Sequence, residues 1–428
     1  EFAEAEVWRK YAVEIFTSKI DEQFSEDGYT REMSGAYHWI AMRNFFAFYQ
    51  VAKNNGMEEI FPDVYKNAIY RAAWAEYYQQ KPDYSLPVTN DSNVTTRHRM
   101  QLELLKEVID EEIVDYRLSN GKEGKAPEHV SYFYPDAKLA VMRSDWSENA
   151  IYGSLDMGPW GINHMNEDQL NLEVSAYGRN LLVNSGRWRY TTSPGISWLS
   201  RAQYFKNTPS YNSLICDDMG QMPGDADGVM VINESFDYAK GTFASGYGKT
   251  SETQTVSKEF GSVANKEALA PDVTHTREVF FAKEEGFFIV RDTMESKEEH
   301  TYTQTWHMAE GSMEKCDMGY FSTFEDANFV MLQLNQPQMK YYCGNEEPFK
   351  GWNCPAYDHL VPAPEVDVYL SGSGTVVFET LLLPVKGRVN EENLPEFKKM
   401  LTNDGVVYQV TMNGKTMSIL AGEQWKLI

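Results

Sequence analysis

The spacing of hydrophobic residues changes once along the chain, near residue 126, and this change limits the fold more than any other feature. Over residues 1–125 apolar side chains recur at intervals of three and four, which is typical of amphipathic helices. Over residues 126–428 short runs alternate between apolar and polar residues, with Gly, Asn, Asp and Pro between them. That pattern is typical of antiparallel strands. The sequence therefore predicts an α+β multidomain chain, with helices over residues 1–125 and a large antiparallel β-sandwich over residues 126–428.

Four helices are predicted in the first part, over residues 6–24, 35–56, 62–80 and 99–118. Ser34 is placed to cap the second of them. Four helices arranged as two hairpins are too few for an independent domain in front of so long a β-domain. We therefore expect them to be the end of a larger helical body, completed by an upstream segment or by another polypeptide.

The composition excludes two classes of partner. A net charge of −24 leaves no broad basic surface, so nucleic acid is not expected to bind. A membrane span would need about 18 consecutive apolar residues, and the sequence has no such run. The four cysteines show no CxxC or clustered Cys/His spacing, which disfavours a metal site. Cys343 and Cys354 could close one loop, whereas Cys216 and Cys316 are expected to be unpaired.

Residues 159–190 hold the strongest candidate for a catalytic residue. A polar segment runs into the alternating strand LNLEVSAY, and a second strand, LLVNS, ends in a basic-aromatic cluster. His164 lies in the polar segment, and histidine is the side chain whose charge changes most readily near neutral pH. The alternative to a catalytic role is that His164 is an ordinary exposed histidine on a β-hairpin. A metal site of His164 with Asn166 and Asp168 is disfavoured, because asparagine binds transition metals poorly.

A second cluster lies at the start of the second helix. It contains Glu32, Tyr37 and His38 within the segment DGYTREMSGAYHW, residues 27–39. The alternative to a functional role is structural: Tyr37 as a core aromatic residue, and Glu32 as an acid that complements the helix dipole.

Taken in order, these segments resemble the heparinase II/III-like polysaccharide lyases, a family that includes glycosaminoglycan and alginate lyases. The matching segments are DGYTREMSGAYH (27–38), LPVTNDS (86–92), YPDAKLAVMRSDW (134–146), GPWGINHMNEDQLNLEVSAYGRNLLVNSG (158–186), YNSLICDDMGQ (211–221) and HTREVFF (275–281). The resemblance implies that residues 1–125 are the C-terminal helices of an (α/α) toroid and that a β-sandwich follows. It also implies cleavage of a uronic-acid-containing anionic polysaccharide by β-elimination.

The resemblance further implies roles for single residues. Tyr37 matches the tyrosine that acts as acid and as base, and His164 matches the first histidine of an H-x-H motif that reaches the cleft. The family residue that neutralises the substrate carboxylate lies upstream of the tyrosine, and nothing in residues 1–36 supplies it. This fragment alone is therefore expected to hold an incomplete site.

Five further residues are predicted to bind the substrate: Glu32, His38, Arg187, Trp188 and Arg189. Arginine binds carboxylates and sulfates through two parallel hydrogen bonds, which suits an anionic polymer. The alternative for the arginines is pairing with the many acids of the chain.

No metal and no other cofactor is expected. Many relatives hold a structural zinc in the sandwich, but the corresponding positions here are Asn166, Asn184 and Tyr211, which bind zinc badly. A hydrogen-bond network among these three side chains is expected to replace the ion.

The expected partner is an anionic polysaccharide or oligosaccharide, and a homodimer stays open. The resemblance implies a periplasmic or secreted bacterial protein. Two other functions remain as alternatives. One is a non-catalytic carbohydrate-binding protein or a catalytically incomplete fragment of a lyase. The other is a glycoside hydrolase, which needs two carboxylates at a defined separation across a cleft.

Overall fold

The computed structural model describes residues 2–94, 98–189, 204–250, 266–422 and 424–428. Within these ranges the helices are α1 Ala5–Gln23, α2 Gly35–Asn54, α3 Asp63–Gln79, α4 His98–Leu105 and α5 Glu111–Leu118. The prediction of one continuous helix over residues 99–118 is wrong, because the helix stops after Leu105. The Asp110 carboxylate accepts a 3.0 Å hydrogen bond from the Glu112 amide and so caps a new helix, α5.

Antiparallel strands follow the helices, as the alternating pattern predicts. The first group is β1 Tyr132–Tyr134, β2 Leu139–Arg143, β3 Ile151–Asp156, β4 Leu172–Ala176 and β5 Arg179–Leu182. The second group is β6 Leu214–Cys216, β7 Gly220–Gln221, β8 Ala226–Ile232, β9 Phe236–Phe243, β10 Tyr247–Thr250, β11 Lys266–Ala270, β12 Thr274–Ala282 and β13 Phe287–His307. The third group is β14 Met313–Cys316, β15 Gly319–Ser322, β16 Ala327–Gln333, β17 Gln338–Cys343, β18 Asn345–Glu346, β19 Phe349–Lys350, β20 Trp352–Ala356, β21 His359–Pro362 and β22 Pro364–Lys386. The last group is β23 Glu396–Thr402, β24 Gly405–Met412, β25 Lys415–Ala421 and β26 Trp425–Leu427.

Three of the sheets carry most of the packing. The first has the order β1-β2-β3-β4-β5. The second has ten strands in the order β14-β15-β16-β22-β13-β12-β9-β8, with β17 paired to β22 and β6 paired to β13. The third is the meander β23-β24-β25-β26. The long strands β13 and β22 pair along almost their whole lengths and form the centre of the ten-stranded sheet.

The first sheet is covered on both faces. In β2, Leu139 and Val141 pack with residues of the helices, whereas Ala140 and Met142 pack with residues of the ten-stranded sheet. Every residue of this strand is buried, which explains its nearly continuous apolar sequence. Each aliphatic side chain buried in this way stabilises the fold by about 1.5–3 kcal/mol. The molecule is therefore layered as helices, first sheet, ten-stranded sheet and, on the far side, the C-terminal meander.

Side chains of the first sheet also cap the end of α3. The Tyr134 and Tyr152 hydroxyls donate 2.8 Å hydrogen bonds to the carbonyls of Ala75 and Gln79. Arg143 donates from Nη2 to the Gln80 carbonyl at 2.5 Å. The last carbonyls of a helix lack partners within it and carry partial negative charge, so hydroxyls and a guanidinium are suitable caps. These bonds fix the start of the loop that leads from α3 to the candidate site.

Two predictions from composition can be compared with the fold. The loop closure by Cys343 and Cys354 is wrong, since both thiols are free, Cys343 is exposed and Cys354 is buried. Cys216 and Cys316 are free, as predicted, and both are buried. Among the described residues no helix is long and apolar enough to cross a membrane.

Candidate active site

The site is built at the start of α2 by the loop of residues 86–94. The Thr89 hydroxyl accepts a 3.1 Å hydrogen bond from the Gly35 amide, and the Ser92 hydroxyl accepts one of 3.2 Å from the Ala36 amide. The predicted cap, Ser34, makes no side-chain bond to the helix, and its hydroxyl instead lies 2.8 Å from that of Ser92. The first amides of a helix need such external acceptors. The loop therefore caps α2 and sets the position of Tyr37 in its first turn.

Tyr37 and His164, the two predicted catalytic residues, lie against each other. Their rings stack with centroids 3.6 Å apart and an interplanar angle of 14°. His164 has a positive φ of 59°, a conformation that is uncommon outside glycine. Its carbonyl accepts a 3.1 Å hydrogen bond from the Asp91 amide, which holds this turn of the backbone beside the loop.

The His164 ring lies between two carboxylates. Its Nδ1 is 3.1 Å from Oδ2 of Asp91, and its Nε2 is 3.7 Å from Oε2 of Glu32. The Asp91 side chain is only 2% exposed, whereas those of His164 and Glu32 are each 18% exposed. Asp91 therefore fixes the ring from the buried side, and Glu32, whose side chain is partly exposed, lies at the Nε2 edge.

Arg187 completes the cluster. Its Nη1 donates to the Tyr37 hydroxyl at 3.3 Å and to the Asp91 carbonyl at 3.2 Å, and its Nε donates to Oδ1 of Asn93 at 2.8 Å. The side chain is 20% exposed, and its Nη1 also lies 3.8 Å from Oδ1 of the buried Asp91 carboxylate. Gly186 precedes it with φ +77°, and a Cβ there would lie 2.4 Å from the Cys354 carbonyl oxygen. Only glycine fits this close approach.

The floor of the site is a buried polar network around Asn90. The Asn90 amide donates to Oδ2 of Asp168 at 2.8 Å, and its side-chain amide donates to the Met33 carbonyl at 2.9 Å. Oδ1 of Asn90 accepts from the Asn166 amide at 2.7 Å. Burial, together with the nearby Asp156 carboxylate, raises the pKa of Asp168. The network connects the loop of residues 86–94 to the residue before the cap of α2 and to the His164 segment.

Two of the predicted substrate-binding residues, His38 and Trp188, are buried. The prediction that they contact a substrate directly is therefore wrong. His38 is 0% exposed, its Nε2 lies 3.1 Å from the Ala72 carbonyl oxygen, and its ring stacks on Tyr29. Trp188 is 6% exposed and packs with Phe205 and Cys354. The sequence pattern could not show this, because burial depends on elements that are distant along the chain.

The other predicted residues have different surroundings. Glu32 lines the site beside His164, as described above. Arg189 is paired with an acid, since its Nε lies 3.1 Å from Oδ1 of Asp358. Its guanidinium also covers the Trp188 ring at 4.4 Å. The pairing alternative thus applies to both arginines, since Nη1 of Arg187 lies 3.8 Å from Oδ1 of Asp91, but Arg187 also contacts the Tyr37 hydroxyl. Tyr190, the last residue of the stretch 159–190, lies outside the described residues.

The three positions that the family resemblance identified as lost zinc ligands, Asn166, Asn184 and Tyr211, are buried. Asn184 donates to the Val88 carbonyl and accepts from the Gly186 amide at 2.8 Å. Tyr211 donates to the Phe205 carbonyl at 2.7 Å. The side-chain nitrogen and oxygen of Asn166 have no hydrogen-bond partner within the described residues. The expected network among the three side chains is therefore wrong, because Asn184 and Tyr211 bond to backbone atoms and the Asn166 side chain bonds to neither of them.

Two residues of the site were missed by the sequence reasoning, namely Asp91 and Asn93. Asp91 lies in the segment LPVTNDS, which carried part of the family resemblance but received no role. The sequence feature that could have identified Asp91 is a carboxylate within a polar loop that follows a helix. A contact between residues 91 and 164 is not visible in any local pattern.

Comparisons with known proteins find relatives along almost the whole chain. The chain matches the family model "Heparinase II/III N-terminus" over residues 1–110 and the model "Heparinase II/III-like, C-terminal" over residues 126–396. It is 24% identical over 437 residues to a heparin-sulfate lyase of Bacteroides stercoris, covering 98% of this chain and 60% of that protein. It is 25% identical over 433 residues to a heparin-sulfate lyase of Pedobacter heparinus, covering 98% of this chain and 61% of that protein.

Solved structures show the same fold. The heparan sulfate lyase HepC from Pedobacter heparinus superposes with a TM-score of 0.80 at 21% identity, covering 100% of this chain and 63% of that one. A structure of heparinase III superposes with a TM-score of 0.79 at 18% identity, covering 100% of this chain and 64% of that one. The chain thus spans about three fifths of the length of the relatives that it matches.

Proposed function

The chain belongs to the heparinase II/III-like family, and from this premise we propose that it carries part of the active site of a glycosaminoglycan-type polysaccharide lyase. The substrate is an anionic polysaccharide that contains uronic acid, and the bond is cleaved by β-elimination. One observation carries the proposal: Tyr37 stacks on His164 while its hydroxyl lies 3.3 Å from Nη1 of Arg187.

The proposed reaction needs no water and no redox partner. A base removes the proton on the carbon beside the uronate carboxylate, and the electron pair of that C–H bond forms a C=C bond. The C–O bond to the departing sugar breaks, and its oxygen takes a proton from an acid. Because the carbon acid is weak, donors must stabilise the negative charge that develops on the carboxylate.

Tyr37 is proposed as both base and acid. When the phenol loses its proton, the Arg187 guanidinium stabilises the negative charge on the oxygen, since an opposite charge nearby favours the ionised form. The same oxygen accepts the substrate proton or returns it to the leaving group. The partly exposed Arg187 is also proposed to hold a carboxylate or sulfate of the substrate.

His164 is proposed to assist through Nε2, and Asp91 to position it. A carboxylate on Nδ1 fixes the tautomer and the orientation of an imidazole, which leaves the other nitrogen directed at the reacting groups. Glu32, 3.7 Å from Nε2, is proposed to contact the substrate from the accessible side.

The architecture of the whole protein belongs to the same proposal. We propose that the helices of residues 1–125 end an (α/α) toroid and that residues 126–428 form the sandwich that closes the cleft. The periplasmic or secreted location, the homodimer and the absence of a cofactor stay predictions.

A second candidate is a carbohydrate-binding protein without catalysis. It is favoured by the expectation from the family resemblance that Asn166, Asn184 and Tyr211 replace zinc ligands. Loss of a metal that supports the sandwich is compatible with a site that binds sugar but has lost turnover.

The test uses the full-length protein with heparan sulfate, hyaluronan and alginate as separate substrates. A lyase produces unsaturated ends that absorb ultraviolet light, and we expect this signal on at least one glycosaminoglycan. Tyr37→Phe should lower kcat by at least about 10²-fold, the usual contribution of an acid-base group, with binding retained. The matched control is Tyr70→Phe, because Tyr70 is exposed on α3.

Two results would oppose the proposal. Absence of unsaturated product on every polymer, with binding retained, would favour the carbohydrate-binding protein. Equal turnover by Tyr37→Phe and the wild type would remove Tyr37 from the mechanism.

A further inference from the structure

A second cluster of reactive side chains lies in the β-part, at the end of β6. Cys216 is the last residue of this strand and pairs across the ladder with Tyr302 of β13. Asp217 follows in a turn with φ +48°. Its amide donates to the Thr301 carbonyl at 2.8 Å, and its Oδ1 accepts from the Thr301 amide at 2.8 Å. The turn is thereby fixed against β13.

His300 completes the cluster from the opposite strand. Its Nδ1 lies 2.6 Å from Oδ2 of Asp217. One potential ligand atom from each of Cys216, Asp217 and His300 lies within 4.8 Å of the other two. More than 80 residues separate Cys216 from His300 in the sequence, so no spacing motif announces the set.

The donor set determines which ion fits. A thiolate, an imidazole and a carboxylate are the ligands of zinc, whereas calcium and magnesium take oxygen ligands. Around a tetrahedral zinc, neighbouring ligand atoms are about 3.3–3.8 Å apart, given bonds of about 2.0–2.3 Å. The three side chains therefore need to open the His300–Asp217 contact by about 0.7 Å to admit the ion. Rotation about side-chain bonds supplies a movement of that size.

Burial is graded across the cluster. Cys216 is 0% exposed, whereas the side chains of His300 and Asp217 are 10% and 40% exposed. An ion bound here has its sulfur ligand in the core and a water molecule as fourth ligand on the outer side. Lys249, which is exposed on β10, adds positive charge near Asp217 and opposes binding in part.

We propose that Cys216, Asp217 and His300 form a zinc-binding site that fastens the β6 turn to β13. It is separate from the three asparagine and tyrosine positions discussed above. On binding, the Cys216 thiol releases its proton to solvent and a Zn–S bond forms, with no change of oxidation state. The site sits five residues after Tyr211, so it stabilises the segment that packs behind the candidate active site.

The full-length protein is first freed of metal with a chelator and dialysed. The test then measures its binding of added Zn²⁺. We expect about one equivalent of Zn²⁺ by elemental analysis, and a thiolate-to-metal absorption band when Co²⁺ replaces Zn²⁺. Zn²⁺ should also raise Tm, because an ion that binds only the folded state stabilises it.

The variants Cys216→Ser and His300→Gln should each weaken Zn²⁺ binding at least tenfold, and Cys216→Ser should abolish the Co²⁺ band. The matched control is Cys316→Ser, which removes another buried free thiol and should leave binding unchanged. Asp217→Asn keeps the turn and weakens binding, which provides a second measurement where Cys216→Ser folds poorly.

Three results would overturn the proposal: less than 0.1 equivalent of Zn²⁺ on roughly micromolar protein, an unchanged affinity in Asp217→Asn and His300→Gln, or a Co²⁺ complex without the thiolate band. Lyase activity is not part of the measurement. The zinc site and the proposed function therefore stand or fall separately.

Discussion

Asp91 is a buried acid that contacts both His164 and Arg187 in the candidate site. It holds Nδ1 of His164 through its side chain and binds the His164 carbonyl through its amide. Its own carbonyl accepts a hydrogen bond from Arg187. One residue thus connects both partners of Tyr37, and a change there should alter the geometry of the chemistry more than the affinity.

Asp91→Asn is expected to lower kcat by about 10–10²-fold with KM changed less than about threefold, because the amide cannot favour the same imidazole tautomer or charge. The measurement is initial rate against substrate concentration and pH in the full-length protein. The pH profile of kcat should shift as well, which a purely structural role would not cause. The control is Asp358→Asn, which removes the partner of Arg189 and should leave kcat unaltered.

His38 makes the opposite case, because it neighbours Tyr37 in the sequence but points into the helical core. His38→Ala is expected to lower the free energy of unfolding by about 2–3 kcal/mol, through the lost packing and the lost hydrogen bond between the ring and the Ala72 carbonyl. KM of the remaining folded enzyme should not change. Chemical denaturation and steady-state kinetics check the two parts. His129→Ala, at a half-exposed position, serves as control, and a raised KM in His38→Ala alone would restore His38 as a substrate contact.

At the scale of elements, the loop after β3 depends on a buried acid. Oδ1 of Asp156 accepts a 2.9 Å hydrogen bond from the Gly158 amide, and its backbone carbonyl accepts one from Leu170 at 2.7 Å. Burial, with a smaller effect of the Glu173 charge, raises the pKa of Asp156 to about 7. The folded state therefore binds this proton more tightly than the unfolded chain does.

The sign of the resulting pH dependence follows from that difference. Between the ordinary pKa of about 4 and the raised value of about 7, the folded state holds more protons, so stability decreases as pH rises. The maximal slope from this one group is about 1.4 kcal/mol per pH unit. Asp156→Asn should flatten the dependence of unfolding free energy on pH between about pH 5 and 7, measured by urea denaturation. An unchanged slope in the variant would show that Asp156 does not titrate in this range.

The elements also show where sequence reasoning succeeds and where it stops. The change of hydrophobic period identified a helical segment followed by antiparallel strands, because period is a local property that burial of one face imposes. The break between α4 and α5 was missed, since Asp110 caps a helix only once the chain has turned there. The double burial of β2 was likewise not foreseen.

For the candidate site, the sequence identified residues that local patterns and family order reveal, and missed contacts between distant segments. Tyr37 and His164 were proposed together, and they do lie in contact. Asp91 and the Cys216–His300 pair were not identified, because their partners are more than 70 residues away. His38 and Trp188 were predicted to bind the substrate, although neighbouring elements bury both.

At the scale of the whole molecule, the first sheet belongs to two cores. One core joins it to the helices, and the other joins it to the ten-stranded sheet. Residues 121–126 form the exposed connection between the helices and this sheet, so a protease should cut there. We expect the two pieces to stay together after cleavage and to unfold in one transition, because the buried contacts remain. Size-exclusion chromatography and calorimetry of the nicked protein test this, and separation without denaturant would contradict it.

Because both faces of the first sheet are buried, the sheet also limits which substitutions the chain can accept during evolution. A substitution in β2 must suit the helices if it falls on Leu139 or Val141, and the ten-stranded sheet if it falls on Ala140 or Met142. Neither half can therefore be exchanged for a foreign module without redesign of the other. The hydrophobic period divides the chain near residue 126 into a helical part and a β-part. Because these two parts share buried contacts, they have to evolve together.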